Sequence, residues 1–248
     1  MVLRKVAVAF AWCALTLSCA AFWLFSSGSD AGSKSRLKVT IAGIRSGRAI
    51  PPDNAFCVPA KEGHVTLGPN KSPEIKWSKG PKGTASYAIV MYDTDVPSER
   101  SNVNKEGKVI PKTLKRIRFY HWLLVDIPPD VNELAMGADS TEVTHHGKPA
   151  GKTDHGVRGV NSYTIFLAGN PDMKGTYGGY DGPCPPWNDT IIHHYHFMVY
   201  ALDVPSLGLP DNFDGDQAMK AMSGHVLAEG GVTGVYALNP DVAKRLPK

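Results

Sequence analysis

Side chains that can bind an anion or carry a proton interrupt three apolar segments of the chain. Asp93 ends one segment, His121 lies in a second, and His193 begins a third. A polar group on an apolar face is costly unless it meets a polar partner or a ligand. An aspartate that accepts from an imidazole N–H orients the ring and favours its protonated, anion-binding form. These residues therefore predict a site for phosphate, sulfate or a carboxylate.

A rigid loop precedes the last of these histidines. Residues 182–187 read Gly-Pro-Cys-Pro-Pro-Trp, and proline lacks an amide proton and has a restricted φ. The strand that follows alternates in two faces, so Tyr195 lies on the same face as His193. Backbone amides of the loop and the Tyr195 hydroxyl would complete the anion site.

The elements that must position these groups are mostly strands. β-branched and aromatic residues dominate the runs Ser86–Asp93, Phe119–Ile127 and 193–203, which favours buried strands. On the second run, strict alternation places His121 on the face of Phe119, Leu123 and Val125. Shorter strands are predicted at Leu37–Ile44, Ser72–Trp77 and Tyr163–Ala168, and a helical turn at Val131–Met136.

One helix is expected near the C-terminus. Asp214 or Asp216 would cap a helix that runs to Ala228 and ends at Gly230-Gly231. A last strand would follow at Val232–Leu238. A mostly β chain with one good helix is most simply an antiparallel β-sandwich.

The N-terminus has the composition of a targeting segment. Arg4 and Lys5 precede the uncharged, apolar run Val6–Phe25, typical of a signal peptide or a membrane anchor. Residues 1–30 are therefore assigned to leader and linker, and residues 37–248 to the folded domain. Cleavage after Ala20, retention of residues 6–25 as an inner-membrane anchor, and lipidation at Cys19 all remain open. Each option predicts export to the periplasm or the extracellular space.

Net charge and cysteine content limit the kinds of partner and compartment that the sequence predicts. The formal net charge of +4 is too weak and too mixed to indicate nucleic acid binding. The local basic excess between Lys105 and Arg118 is interpreted as a solvated loop. Cys57 and Cys184 are the cysteines of the exported part, and an oxidising compartment would allow them to pair. Whether they do stays open.

Five separated motifs resemble the phosphatidylethanolamine-binding protein family, in particular its bacterial branch, which is similar to the Raf kinase inhibitor proteins. The resemblance covers roughly residues 37 to 238. The segments that carry it are Asn70–Trp77, Asp93–Pro97, His121–Pro128, Gly182–Pro186 with His193-His194-Tyr195, and Gly224–Ala228.

The resemblance implies a sandwich of two antiparallel sheets with a C-terminal helix and a small pocket for phosphorylated head groups. Matched by motif, the ligand-binding residues are Asp93, His121, Pro183, His193 and Tyr195, with Asp95 in support. Cis peptide bonds are frequent near this site in the family, and Pro186 is the candidate here.

Three departures from the family pattern concern the pocket. Thr94 stands where the family usually has proline, which loosens the carboxylate turn. His194 replaces a frequent arginine, but strand alternation points it away from His193. The segment Thr164–Lys174 resembles an insertion that covers or reshapes the entrance.

Other functions compete with ligand binding. A weak hydrolase would use His193 or His121 with Asp93, although no Gly-x-Ser-x-Gly nucleophile motif occurs. Histidines 194 and 196 share a strand face and could chelate zinc or copper, but no histidine cluster has a known ligand spacing. Neither an enzyme, a metal nor a cofactor is therefore predicted. Inhibition of a protein partner through the pocket rim, and a homodimer, remain alternatives.

Overall fold

The structure is a computed structural model that describes residues 35–247, so the predicted leader, residues 1–30, lies outside the described residues. None of the helices in the described range is long and apolar enough to cross a bilayer. The strands are β1 (Ser35–Arg36), β2 (Val39–Ile41), β3 (Cys57–Pro59), β4 (Val65–Leu67), β5 (Ile75–Trp77), β6 (Ser86–Pro97), β7 (Arg116–Ile127), β8 (Glu133–Leu134), β9 (Gly151–Thr153), β10 (Gly156–Arg158), β11 (His193–Leu202) and β12 (Val226–Tyr236). The helices are α1 (Tyr163–Phe166), α2 (Gly215–Met222) and α3 (Pro240–Ala243), with a 3-10 turn at Pro52–Asn54.

The large sheet has the order β1-β12-β11-β6-β7-β10-β9, and its pairings are antiparallel except that of β1 with β12. Its long central strands β6, β7 and β11 correspond to the three predicted apolar runs, and the ends of each strand differ from the predicted ends by only a few residues. A second sheet has the order β2-β5-β8, and β3 pairs with β4.

The core lies on both faces of the large sheet. Met91 of β6 belongs to the cluster that includes Trp77 of β5, so one face packs against the second sheet. Val90, the next residue back, packs in a separate cluster with Ala218 and Met222 of α2. The predicted mostly β sandwich is therefore confirmed, with a helix on its outer face.

Helix α2 is shorter than predicted. Asp214 is its N-cap, and its carboxylate and the Gln217 side chain form a reciprocal capping box. The helix ends at Met222 rather than Ala228, because β12 begins at Val226 and pairs along the length of β11. The predicted helix stop Gly230-Gly231 thus lies inside a strand, where sheet pairing decides the conformation.

Two short elements were also predicted wrongly. The expected strand Tyr163–Ala168 is the helix α1, which has no neighbouring strand to pair with and whose i, i+3 spacing brings Tyr163 and Phe166 to one side. The expected helical turn Val131–Met136 contains β8, which pairs with β5. For β8 the partner strand, not the local composition, determines the element.

A β-bulge changes the direction of His121. Met91 pairs with Trp122 while the next residue, Tyr92, pairs with Tyr120, so His121 is the extra residue on β7. Trp122 therefore packs in the inner cluster, and Leu123 in the outer one. The prediction that His121 shares a face with Leu123 and Val125 was wrong. The bulge leaves the imidazole on the pocket side of the sheet.

Candidate functional site

A small cavity of about 40 Å³ lies at the end of the central strands. By this measure one water needs about 10–15 Å³, so the cavity has room for a few heavy atoms. Asp93 of β6, His121 of β7 and Tyr195 of β11 are the polar groups at its base. The lining residues are Asp93, Val96, Pro97, Arg100, Val103, Asn104, Phe119, His121, Tyr163, Phe166, Cys184, Pro185, Pro186 and Tyr195.

The Asp93 carboxylate is buried and is held at both oxygens. Oδ1 accepts the Asp95 backbone N–H at 2.7 Å, and Oδ2 lies 2.6 Å from Nδ1 of His193. Burial would raise the pKa of Asp93, but the facing His193 imidazolium outweighs it and lowers the pKa. The carboxylate is therefore ionised and fixed in orientation.

His193 is fully buried behind the cavity rather than in its lining. Its Nε2 lies 3.2 Å from Oδ2 of Asp189. The Asp189 carboxylate also accepts two hydrogen bonds from Arg116, at 2.5 Å through Oδ2 and at 3.1 Å through Oδ1. Burial opposes the charge, but Asp93 and Asp189 together raise the pKa of His193 to about 9. The ring is thus an imidazolium whose two N–H groups both donate to carboxylates, and no N–H is left for a ligand.

His121 has the opposite charge state. Its Nδ1 donates to the Asp181 carbonyl oxygen at 2.8 Å, and the Asp181 amide donates back to the His121 carbonyl. Burial lowers the pKa of His121 to about 4, despite the nearby Asp93 carboxylate. At neutral pH the ring is uncharged and Nε2 is an acceptor. The expectation of two protonated imidazoles facing one anion is therefore not what the geometry shows.

Behind His121, a buried polar network holds Asp181 in place. Its carboxylate accepts from Lys148 Nζ at 2.7 Å, and from the side-chain amides of Asn70 and Asn161 at 2.8 Å each. Burial raises the pKa of Asp181, and the Lys148 charge partly offsets this. Such a satisfied network gives the His121 ring a single orientation.

The Tyr195 phenol keeps its proton. The ring is buried, 5.2 Å from the His121 ring between centroids. Burial, followed by the charge of Asp93, raises the pKa of Tyr195 well above its usual value. The base of the cavity thus combines a hydroxyl donor, a neutral imidazole acceptor and a paired carboxylate.

Besides His193, two more of the predicted residues, Asp95 and Pro183, lie outside the lining. The Asp95 carboxylate points outward and accepts from the backbone N–H and the Nδ1 of His194, both at 2.8 Å, so Asp95 supports Asp93 only through its amide. The buried Pro183 accepts from the amides of Phe56 and Cys57 through its carbonyl oxygen. Its neighbours Cys184 to Pro186 form the wall instead.

A disulfide anchors this wall. Cys57 of β3 is bonded to Cys184, across a sequence separation of 127 residues. The pairing that the sequence left open is thus present. The candidate cis bond at Pro186 is not, because every peptide bond between residues 35 and 247 is trans.

The cavity mouth is formed by helix α1 and by the loop that follows β6. Tyr163 and Phe166 come from α1, at the start of the segment that resembles an insertion, and Arg100 lies over the Phe166 ring at 5.0 Å. Asn188 fixes the loop that follows Arg100. Its side chain accepts the Asn104 amide at 3.1 Å and donates to three carbonyl groups, those of residues 102, 105 and 108.

The model of the phosphatidylethanolamine-binding protein family matches residues 41–237. The chain belongs to this family. Among relatives within the family, the UPF0098 protein YbcL of Escherichia coli (strain K12) is 28% identical over 81% of this chain and 87% of its own length. A UPF0098 protein of Methanothermobacter thermautotrophicus is 32% identical over 68% of this chain and 84% of its own length.

Solved structures of family members have the same fold. The crystal structure of E. coli YbcL, described as a new member of the mammalian PEBP family, superposes with a TM-score of 0.58 at 26% identity. The match covers 82% of this chain and 99% of that one. A putative phosphatidylethanolamine-binding protein homologue from Chlamydia trachomatis gives a TM-score of 0.53 at 25% identity, over 82% of this chain and 97% of its own.

Family motifs did not reveal four residues that organise this site. Asp189 lies in the link before His193, which reads as an ordinary polar turn, although its i, i+4 spacing to His193 was visible. Arg116 belongs to the basic run interpreted as solvated, yet its side chain is only 12% exposed. No local signal marks Asp181 or Arg100, because their roles depend on contacts across the fold.

His194 and His196, the pair considered as metal ligands, form contacts with other side chains instead. His194 is paired with Asp95, and His196 contacts Thr94 and Thr233 while stacking on Tyr92 at 5.0 Å. Within residues 35–247 no group of three or more His, Cys, Asp or Glu side chains is arranged to hold a metal ion.

Proposed function

We propose that this protein is an exported binding module that holds the phosphoryl group of a phosphate monoester at the base of the cavity, without turning it over. The observation that carries the proposal is the convergence of Asp93, His121 and Tyr195, from three adjacent strands, on a cavity of about 40 Å³. A phosphoryl group, with its few heavy atoms, fits such a volume.

The charge states at the base favour the monoanion of the ligand. Tyr195 donates its O–H to one phosphoryl oxygen, and Nε2 of the neutral His121 accepts a hydrogen bond from the remaining P–OH group. The ionised Asp93 does not contact the anion directly; it accepts the Tyr195 O–H until the phosphoryl oxygen of the ligand takes its place as acceptor. The second pKa of a phosphate monoester is about 6, so this monoanion is abundant only in mildly acidic solution.

Binding rather than catalysis is supported by the state of His193 and of Cys184. A general base needs an unprotonated nitrogen within reach of the reacting proton, but both nitrogens of His193 face carboxylates, and the pKa of about 4 makes His121 a weak base. Cys184 is in a disulfide and supplies no thiolate. The same disulfide supports export, because such bonds persist in oxidising compartments.

The test is a calorimetric titration at pH 6 with phosphoethanolamine and with glycerophosphoethanolamine, a diester that lacks the P–OH group. We expect the monoester to bind, and Tyr195→Phe to weaken it about tenfold, the cost of one hydrogen bond to a charged group. His194→Ala, one residue away on the opposite strand face, is the matched control and leaves the affinity unchanged. Raising the pH to 8 should weaken the wild-type complex.

Three results would count against the proposal. They are no binding of either ligand at millimolar concentration, equal losses in Tyr195→Phe and His194→Ala, or turnover of the monoester. Tighter binding of the diester would instead point to an intact lipid head group.

A further inference from the structure

The mouth of the cavity carries a positive charge, that of Arg100, with which no side chain in the described part of the chain forms an ion pair. Within residues 35–247, the Arg100 side chain makes neither an ion pair nor a hydrogen bond, and its guanidinium lies over the Phe166 ring at 5.0 Å from the centroid. The bound Asn104–Asn188 pair fixes the loop that follows Arg100. The guanidinium therefore stands over the entrance on a loop with a defined course.

Apart from this charge, the walls above the base are almost entirely apolar. Val96, Val103, Phe119, Phe166 and Pro186 surround the path from the base to the mouth, and Asn104 adds the other polar side chain at that level. Phe119 and Phe166 are arranged edge to face, 6.0 Å apart between centroids. A flat apolar group would extend this ring arrangement.

The volume decides which part of a ligand meets these walls. The cavity of about 40 Å³ accommodates little more than a phosphoryl group. With the phosphoryl group at the base, the ester substituent would extend past Phe166, Val103 and Pro186, which line the rest of the same cavity, towards solvent. An ammonium or hydroxyl group there would lose water and meet Asn104 as the one neutral polar side chain, which is unfavourable, whereas an apolar group would gain from burial.

We propose that Arg100 and Phe166 form a selectivity clamp that favours phosphate monoesters with a small, flat apolar substituent, such as an aryl group, over inorganic phosphate and phosphoethanolamine. This inference rests on the proposed function. Arg100 attracts the anion, and Phe166 packs against its substituent. Because Phe166 lies in the segment that resembles an insertion, the preference belongs to this chain's own mouth.

The experiment compares inorganic phosphate, phosphoethanolamine and phenyl phosphate by calorimetry at pH 6 on the same protein. We expect phenyl phosphate to bind about tenfold more tightly than phosphoethanolamine, as burial of part of one ring would give. Phe166→Ala should remove this advantage while the affinity for inorganic phosphate stays within about twofold of wild type. Arg100→Gln should weaken all three ligands to a similar degree. Ile165→Ala is the matched control, because Ile165 precedes Phe166 on α1 and is 72% exposed.

The possible outcomes separate this inference from the proposed function. If the three ligands bind equally, or phosphoethanolamine binds best, the clamp is refuted while phosphoryl binding stands. If phenyl phosphate keeps its advantage in Phe166→Ala, the clamp is likewise refuted. If no ligand binds wild type, the proposed function fails and the clamp with it. The ligand ranking on wild type needs no variant, so a folding defect in Phe166→Ala would not obscure it.

Discussion

His121 and His193 are two buried histidines whose rings both lie beside Tyr195, at 5.2 and 6.5 Å between centroids, yet they carry different charges. The exposure of the two residues is nearly equal, 3% and 0%. The difference lies in their partners. His193 faces two carboxylates, whereas Nδ1 of His121 faces a backbone carbonyl. In this protein the partner, rather than burial, decides whether an imidazole is charged.

The division of roles follows from this difference. The charged ring is saturated by Asp93 and Asp189, so it belongs to the support of the site. The neutral ring keeps Nε2 as an acceptor and lines the cavity. Two histidines that look equivalent in the sequence therefore contribute stability in one case and ligand chemistry in the other.

The largest expected effect is on stability at the charged ring. His193→Gln leaves the buried carboxylates of Asp93 and Asp189 without their shared cation, and breaking a buried ion pair in this way typically costs about 3–5 kcal/mol. His121→Gln loses one hydrogen bond to a carbonyl, about 1 kcal/mol. Urea denaturation at pH 7 measures both free energies of unfolding. Equal losses in the two variants would remove the distinction between the rings.

The two rings should affect the pH dependence of stability at opposite ends of the range. His193 should cause an alkaline decline (the alkaline limb) and His121 an acidic decline (the acidic limb). The pKa of His193 rises on folding from about 6.5 to about 9, so its contribution is complete below pH 6.5 and is lost as the pH rises through 9. That loss is about 3 kcal/mol. The pKa of His121 falls to about 4, so the unfolded chain takes up this proton first and stability declines as the pH falls from 6.5 towards 4.

Denaturation series between pH 4 and pH 10 separate the limbs. The alkaline decline should flatten in His193→Gln only, and part of the acidic decline should flatten in His121→Gln only. Asp93 and Asp189 have pKa values that are lowered on folding from 3.8, so most of their contribution is lost below pH 4 and only a small decline from them should remain in this range. An alkaline limb that is unchanged in His193→Gln would mean that the ring is not an imidazolium.

The part of this arrangement that local patterns encode was predictable. The strands carrying Asp93, His121 and Tyr195 are long apolar runs, and such runs are neighbours in a sheet. Their polar ends were therefore expected to meet. The disulfide could not be decided in advance, because it depends on the distance between two residues 127 positions apart.

The residues that hold the charged His193 ring could not be predicted from the sequence. Arg116 and Asp189 are 73 positions apart, and each resembles an exposed loop residue until the fold brings them together. The bulge at His121 was equally hidden, because strict alternation is the default for a strand and nothing local marks the extra residue. The early end of α2 has the same origin, since β12 pairs with β11 where helical spacing continued in the sequence.

A smaller effect is expected at the second carboxylate of His193. Asp189→Asn keeps the side-chain volume but removes one negative charge, so the pKa of His193 should fall below its wild-type value of about 9. The loss of stability should be about 1–3 kcal/mol, and the alkaline decline should be smaller and end at a lower pH. Histidine ring resonances followed by NMR against pH report this pKa directly.

The matched control is Asp203→Asn, which removes the carboxylate of another Asp–His pair, 2.8 Å from His225. Both partners there are more than 40% exposed, so its cost should be under about 1 kcal/mol. If Asp189→Asn cost no more than this control, Asp189 would be a surface carboxylate rather than a support of the charged ring.

The smallest effect is expected at Asp95, which the family resemblance placed in support of the pocket. Its carboxylate pairs outward with His194, whose side chain is 50% exposed, and its backbone amide alone reaches Asp93. Asp95→Ala removes the carboxylate and keeps the amide, so stability should change by less than about 1 kcal/mol and affinity for phosphoethanolamine by less than about twofold. Denaturation and calorimetry measure the two quantities. A tenfold loss of affinity would show that the Asp95 side chain acts on the ligand. The division between His121, which faces the ligand, and His193, which supports the site, would then be incomplete, because Asp95 would also contribute to binding.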